Sequence, residues 1–204
     1  MKCVVFCAGE FNKIPSSIIS QGDFIICADG GYNHAAAMGI TPNLLVGDMD
    51  SIKGSAQAGE TIELPRDKDD TDTYFALREG LSRGYKEFIL LGALGGRLDH
   101  TYANIASIEF LLDNNAAGTI ISGDSIITMI KNGGREFTGE YKYLSVFAYG
   151  GEASGVSISG VKYPLNNATL SPSHPIGISN EIVGGSAVVS VRDGCLVIMQ
   201  TYDR

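Results

Sequence analysis

Up to about residue 122, short apolar runs alternate with helix-like segments, and after Ser122 the helix-like segments stop. That change of rhythm constrains the fold more than any single residue does. Strand and helix in alternation predict an α/β N-terminal domain with a mostly parallel, Rossmann-like sheet. The strand candidates are CVVFCA (3–8), FIICA (24–28), NLLVG (43–47), TIEL (61–64), FILLG (88–92) and TIIS (119–122). Between them, YNHAAAMG begins after Gly30 and Gly31 and stops at Gly39. TDTYFALREGLSRG sets Tyr74 or Phe75, Leu77 and Leu81 on one side at helical spacing and ends at Gly84. DHTYANIASIEFLL does the same with Tyr102, Ile105, Ile108 and Leu112, and Asp99 is placed to cap it. Later runs such as SIITMI, YLSVFAY, SAVVSV and CLVIMQ, separated by GG, NN, SPS and RDG, predict an all-β sandwich or barrel. The expected domains are therefore 1–122 and 123–204.

Composition narrows the function classes. Apolar residues make up 44% and charged residues 19% of 204, as in a globular chain, with no uncharged apolar run of 18 or more and no cleavable leader. A cytoplasmic protein without a membrane partner is expected. The formal charge of −8, with Lys and Arg scattered rather than striped, works against nucleic acid as a partner. Cys3, Cys7, Cys27 and Cys195 lack CxxC spacing and read as buried reduced thiols.

In an open α/β sheet, ligands bind beyond the carboxyl ends of the strands. ADGG (28–31), GDMDS (47–51), DKDDTD (67–72) and GALGGRLDH (92–100) each follow a strand, so Asp29, Asp48, Asp50, Asp72 and Asp99 should converge on one rim. Taken singly, an Asp at such a position is most often a cap or turn former. As a set they would ionise with difficulty unless a cation sat among them. Mg²⁺ fits an all-oxygen set, and His34, His100 and His174 have no ligand spacing and read as surface or capping residues. Glycine-rich turns at CAGEFNK (7–13) and LGALGGR (91–97) let backbone N–H groups approach phosphate, while GxxxxGK[ST] and a GxGxxG after the first strand are both missing. Arg97 is placed either to neutralise phosphate or to pair with Asp99.

Read in order, DGG (29–31), GDMDSI (47–52), DKDDTD (67–72), GGRLDH (95–100) and SNE (179–181) resemble the thiamine pyrophosphokinase family over nearly the whole chain. The resemblance implies transfer of the diphosphate of ATP to the hydroxyl of thiamine, with AMP released and Mg²⁺ as cofactor. It also implies a homodimer with the thiamine pocket at the subunit interface. Metal and catalytic roles fall on Asp48, Asp50, Asp72 and Asp99. ATP contacts fall on Asp29, Gly30, Gly31, Asp70, Thr71, Gly95, Gly96 and Arg97, and thiamine contacts on Ser179 and Asn180. Met49 stands where the family often has Phe, as a buried spacer, and without tryptophan any aromatic contact to thiamine must come from Tyr or Phe. Asp72 or Asp99 could accept the hydroxyl proton, although a carboxylate on Mg²⁺ is a poor base. Two other readings remain open from the residues: another Mg²⁺-dependent phosphate-ester enzyme such as a nucleotide hydrolase, and a non-catalytic thiamine- or nucleotide-binding module.

Overall fold

In a computed structural model that describes residues 1–12 and 14–202, the chain divides into two compact units, Met1–Gly123 and the chain from Asp124 onward. The first holds strands β1 (Cys3–Phe6), β2 (Phe24–Ala28), β3 (Leu44–Gly47), β4 (Glu60–Glu63), β5 (Glu87–Leu91) and β6 (Ala117–Ile121), all parallel in the order β4-β3-β2-β1-β5-β6. The central strands read as continuous apolar runs because both their faces are covered; all four residues of β1 are 0% exposed. Alternate residues sort by face: Val4, Phe6, Ile25, Cys27, Leu45, Ile89 and Leu91 pack with Tyr32 and Ala35. The edge strand β4 exposes Glu60 and Glu63, charges that discourage pairing with another chain.

Helices α1 (Gly31–Ala37), α2 (Asp72–Ser82) and α3 (Leu98–Asp113) lie where the spacing predicts, but their buried faces are rotated. Helix α2 buries Thr73, Ala76, Leu77 and Gly80, leaving Tyr74, Phe75 and Leu81 half-buried. Helix α3 buries Asn104, Ser107, Ile108 and Leu111, while Tyr102 is exposed. Small polar groups fill these inner positions because their hydrogen bonds are satisfied there: Asn104 Nδ2 donates to the Ala93 carbonyl, outside the helix, at 2.8 Å and Ser107 Oγ to the Ala103 carbonyl one turn back at 2.8 Å. Asp99 is not the cap of α3. Arg97 occupies that position without a side-chain cap bond, and Asp99 lies within the first turn. His34 is likewise neither a cap nor a free surface residue, since its Nε2 bonds the Gly9 carbonyl at 2.9 Å and its ring stacks on Phe11 at 4.8 Å.

The second unit is antiparallel: β7 (Ser125–Lys131), β8 (Gly134–Thr138), β9 (Tyr143–Ser159), β10 (Leu165–Leu170), β11 (Ser186–Ser190) and β12 (Asp193–Thr201). The 17-residue β9 organises it. Its first half pairs with β12, and its second half with β10 and β11, so one strand serves two pairings around a core that includes Leu144, Val146, Val156, Ile158, Val189 and Leu196. All four cysteines are buried and outside any disulfide, as expected of the thiols, and burial pushes Cys3 and Cys7 up to about 12. No helix among the described residues is long and apolar enough to cross a membrane.

Candidate active site

Strand order reverses at β1, which has β2 on one side and β5 on the other. The crevice at such a reversal is where open α/β sheets take ligands. A cavity of about 280 Å³ opens there, lined by Cys7, Ala8 and Gly9 after β1, by Ala28 and Asp29 at the end of β2, and by Ala93, Gly95, Gly96 and Arg97 after β5. Ser51, Thr71, Asp72, Thr73, His100 and Asn104 complete it. Lys13, at the end of the 7–13 turn, lies outside the described residues.

The backbone draws the carboxylates together. The N–H of Asp29 donates to the Val46 carbonyl at 2.7 Å, tying the end of β2 to β3. Gly47, with φ +145°, lies so close that a Cβ there would stand 2.8 Å from the Asp29 Cβ. Asp29 and Met49 adopt φ +44° and +65°, conformations that a Met adopts only under local constraint. Met49 is half-buried rather than buried. Asn33 of α1 holds the following loop, donating to the Ser51 carbonyl and accepting from the Lys53 N–H, both at 3.0 Å.

As a result, oxygens of Asp29, Asp48 and Asp50 lie within 4.8 Å of one another. Asp72, the first residue of α2 behind the Thr71 cap, is near enough for Asp29 and Asp48 to act on it: burial pushes its carboxyl up, their charges add to this, and Lys68 opposes it. Lys68 Nζ stands 3.0 Å from Asp72 Oδ1 as an ion pair without hydrogen-bond geometry. Asp29 Oδ1 and Asp72 Oδ1 are thus buried with no hydrogen bond among the described residues. Buried carboxylate oxygens are normally satisfied. Three converging carboxylates, one of them with a buried oxygen that has no hydrogen bond, suit a hard divalent cation, which prefers oxygen ligands.

The other acidic candidates are engaged elsewhere. Asp99 forms a two-point pair with Arg97, at 3.1 and 2.6 Å, and the Arg97 guanidinium holds its carboxyl below the usual range. Asp70 is paired with Arg78 at 2.9 Å. Neither belongs to the converging trio. Of the glycines, Gly31 admits no side chain, because a Cβ would collide with the Phe6 carbonyl; Gly30 sits at the N-cap of α1.

In the second unit Ser179 has φ +56°, and its N–H donates to Ser145 Oγ at 3.0 Å. The Asn180 side chain is consumed internally: Oδ1 accepts from the N–H groups of Tyr163 (2.9 Å) and Glu181 (3.0 Å), and Nδ2 donates to the Tyr163 carbonyl (2.7 Å). Ser179 is exposed, as are Tyr163, Ile176, Ile178 and Val183. Asn33, Asn104 and Arg66 escaped the sequence reading because each acts through a partner remote in sequence.

Comparison with known proteins identifies this arrangement. The model of the thiamin pyrophosphokinase catalytic domain matches residues 16–121, and that of the thiamin pyrophosphokinase vitamin B1 binding domain matches residues 126–196. The chain belongs to the thiamine pyrophosphokinase family. The family's Bacillus subtilis (strain 168) member, named thiamine pyrophosphokinase, is 27% identical over 98% of this chain and 98% of its own length. A rice relative, thiamine pyrophosphokinase 1 of Oryza sativa subsp. japonica, is 26% identical over 84% of this chain and 76% of its own. The crystal structure of thiamine pyrophosphokinase from Bacillus subtilis shares the fold, with a TM-score of 0.91 over 100% of both chains at 24% identity.

Proposed function

We propose that the chain is a thiamine diphosphokinase that transfers the diphosphate of ATP to the hydroxyl of thiamine, giving thiamine diphosphate and AMP. The observation that carries this reading is the cleft at the strand-order reversal, where Asp29, Asp48 and Asp50 converge, a buried oxygen of Asp29 has no hydrogen bond, and a buried oxygen of Asp72 meets only the Lys68 ammonium. Asp48 and Asp50, with Asp29 and Asp72, would hold Mg²⁺, which when bound neutralises phosphate charge and aligns the chain for in-line displacement. The thiamine hydroxyl oxygen bonds to the β-phosphorus as the bond from that phosphorus to the oxygen bridging to the α-phosphate breaks; AMP leaves with the electron pair, and the hydroxyl proton passes to a rim carboxylate, Asp72 or Asp99, or to solvent. Backbone N–H groups of the Gly95–Gly96 turn and the Arg97 guanidinium are offered to phosphate oxygens, with Gly30, Gly31, Asp70 and Thr71 shaping the nucleotide side. Arg97 must then exchange Asp99 for phosphate, a low-cost step for an exposed pair.

The second unit is proposed to supply the thiamine site, with Ser179 as a contact and Asn180 as the residue that shapes the loop. A homodimer formed by residues after 123, with thiamine at the subunit contact, would cover the exposed Ile176, Ile178 and Val183. Buried thiols outside any disulfide suit a reducing cytoplasm. AMP formation from ATP, with and without thiamine, tests the reading. Thiamine-dependent AMP supports it; AMP or ADP released without thiamine favours a nucleotide hydrolase; binding without turnover favours the non-catalytic module.

A further inference from the structure

We propose that Arg66 is an exchangeable phosphate-binding residue, paired with Asp50, that couples cation binding to nucleotide binding. The proposal rests on the diphosphokinase reading above. Both oxygens of Asp50 are engaged: Oδ1 accepts from the Ser51 hydroxyl at 2.9 Å, and Oδ2 is held by Arg66 Nη2 at 2.6 Å. Yet an oxygen of Asp50 belongs to the trio with Asp29 and Asp48. A cation entering that trio must compete with the guanidinium for the carboxylate or bear its repulsion at close range.

Arg66 is built to move. Its side chain is 77% exposed, whereas Lys68, two residues on, is 16% exposed and held between Asp72 Oδ1 (3.0 Å) and the Pro65 carbonyl (3.3 Å). Lys68 is a resident of the site; Arg66 is attached at one point. Arg66 also lines a second cavity of about 360 Å³ with Asp48, Asp50, Glu63, Leu64 and Pro65, while Asp29 lines the first. The trio therefore joins two cavities, and Arg66 is the basic group among the residues lining the second. Phosphate oxygens that share the cation with Asp50 would meet the guanidinium there, in the forked geometry that arginine offers to phosphate. Without a nucleotide, Arg66 opposes a bare cation at Asp50. With a triphosphate present it gains a new anionic partner, and the opposition becomes attraction. By linkage, nucleotide and cation then strengthen each other's binding by the same factor.

The test measures Mn²⁺ binding to the native chain and to R66A, R66K and R78A, alone and with an ATP analogue carrying a methylene between the α- and β-phosphorus. R78A removes the same charge from Asp70, outside the trio. Expected for R66A are Mn²⁺ binding alone tightened about threefold to tenfold, and analogue binding at saturating Mn²⁺ weakened about tenfold, so that the coupling collapses. R66K, which keeps the charge without the fork, should keep native Mn²⁺ affinity and lose part of the analogue affinity. R78A should resemble the native chain. Unchanged Mn²⁺ affinity in R66A, or unchanged analogue affinity, overturns the proposal while thiamine-dependent AMP formation by the native chain leaves the diphosphokinase reading standing. A native chain that neither binds Mn²⁺ nor forms AMP overturns both.

Discussion

The two units treat the polar residues of their motifs in opposite ways. In the first, Asp29 and Asp72 keep buried oxygens without hydrogen bonds, the latter meeting only the Lys68 ammonium, and Asp50, Asp70 and Asp99 are held by exposed arginines through single contacts or short pairs. In the second, Asn180 is 4% exposed and spends its amide on three hydrogen bonds to the backbone at Tyr163 and Glu181. One motif keeps carboxylate oxygens without hydrogen bonds, and the other is consumed in holding a loop. A residue's place in a family motif therefore does not tell whether it touches substrate or builds the surface that does. Its hydrogen-bond inventory does.

This contrast makes predictions that separate chemistry from architecture. The largest effect is expected for Asp48→Asn, which should lower AMP formation about 100-fold or more while the melting temperature without metal stays within a few degrees of native. Millimolar Mg²⁺ should raise the native melting temperature and leave the variant's unchanged. Near-native turnover in this variant at saturating Mg²⁺ would break the assignment of the first unit.

Asn180→Ala should do the reverse and cost stability first. It strands two N–H groups and a carbonyl in the backbone at Tyr163 and Glu181, a loss of about 2 kcal/mol, or roughly 4–8 °C in melting temperature. The thiamine KM should rise with little change in ATP affinity. A variant that melts like the native chain yet loses thiamine affinity would place Asn180 in direct contact with the vitamin and erase the contrast.

Arg97→Ala should raise the KM for ATP about tenfold with a smaller effect on thiamine, read from initial rates with each substrate varied. An increase confined to the thiamine KM would show that this arginine serves the other substrate.

The smallest effect concerns a carboxylate with no functional task. Asp23 ties the start of β1 to the start of β2, accepting from Lys2 N–H at 3.1 Å and Ser20 N–H at 2.9 Å, with Lys2 Nζ at 3.4 Å. Burial pushes its carboxyl up, but those hydrogen bonds and the lysine outweigh burial and leave it below the usual range. A lowered folded value means stability that is present above the unfolded value and lost as pH falls through the folded one. Asp23→Asn should therefore melt about 2 °C lower than native at pH 7 and converge with native as pH falls below the usual carboxylate range, followed in parallel thermal melts. A gap that persists at acid pH would show that shape rather than charge is at work.

Much of this was legible in the chain itself. The apolar runs at 3–8, 24–28, 43–47 and 88–92 predict buried strands because a parallel sheet covered on both faces needs uninterrupted apolar sequence, and β1, β2, β3 and β5 lie there. The helices were legible as elements but not as faces. Spacing alone puts Tyr102 and Leu112 inward, whereas Ser107 goes inward with its hydroxyl on the Ala103 carbonyl one turn back, and Asn104 because Ala93 offers it a carbonyl that only the packed structure supplies.

For the site, the residue types and their placement after strands determine an acidic rim, since carboxyl ends of parallel strands point the same way whatever else the chain does. Which carboxylates meet is a tertiary matter. Asp29 joins Asp48 and Asp50 through the tight approach of Gly47 and the left-handed turns at Asp29 and Met49, while Asp99 is drawn off by Arg97 and Asp50 is shared with Arg66. Sequence sets the donors and acceptors available. Distances of a few ångströms, fixed only when strands, turns and side chains are packed together, decide which of them are satisfied and which are left for a ligand.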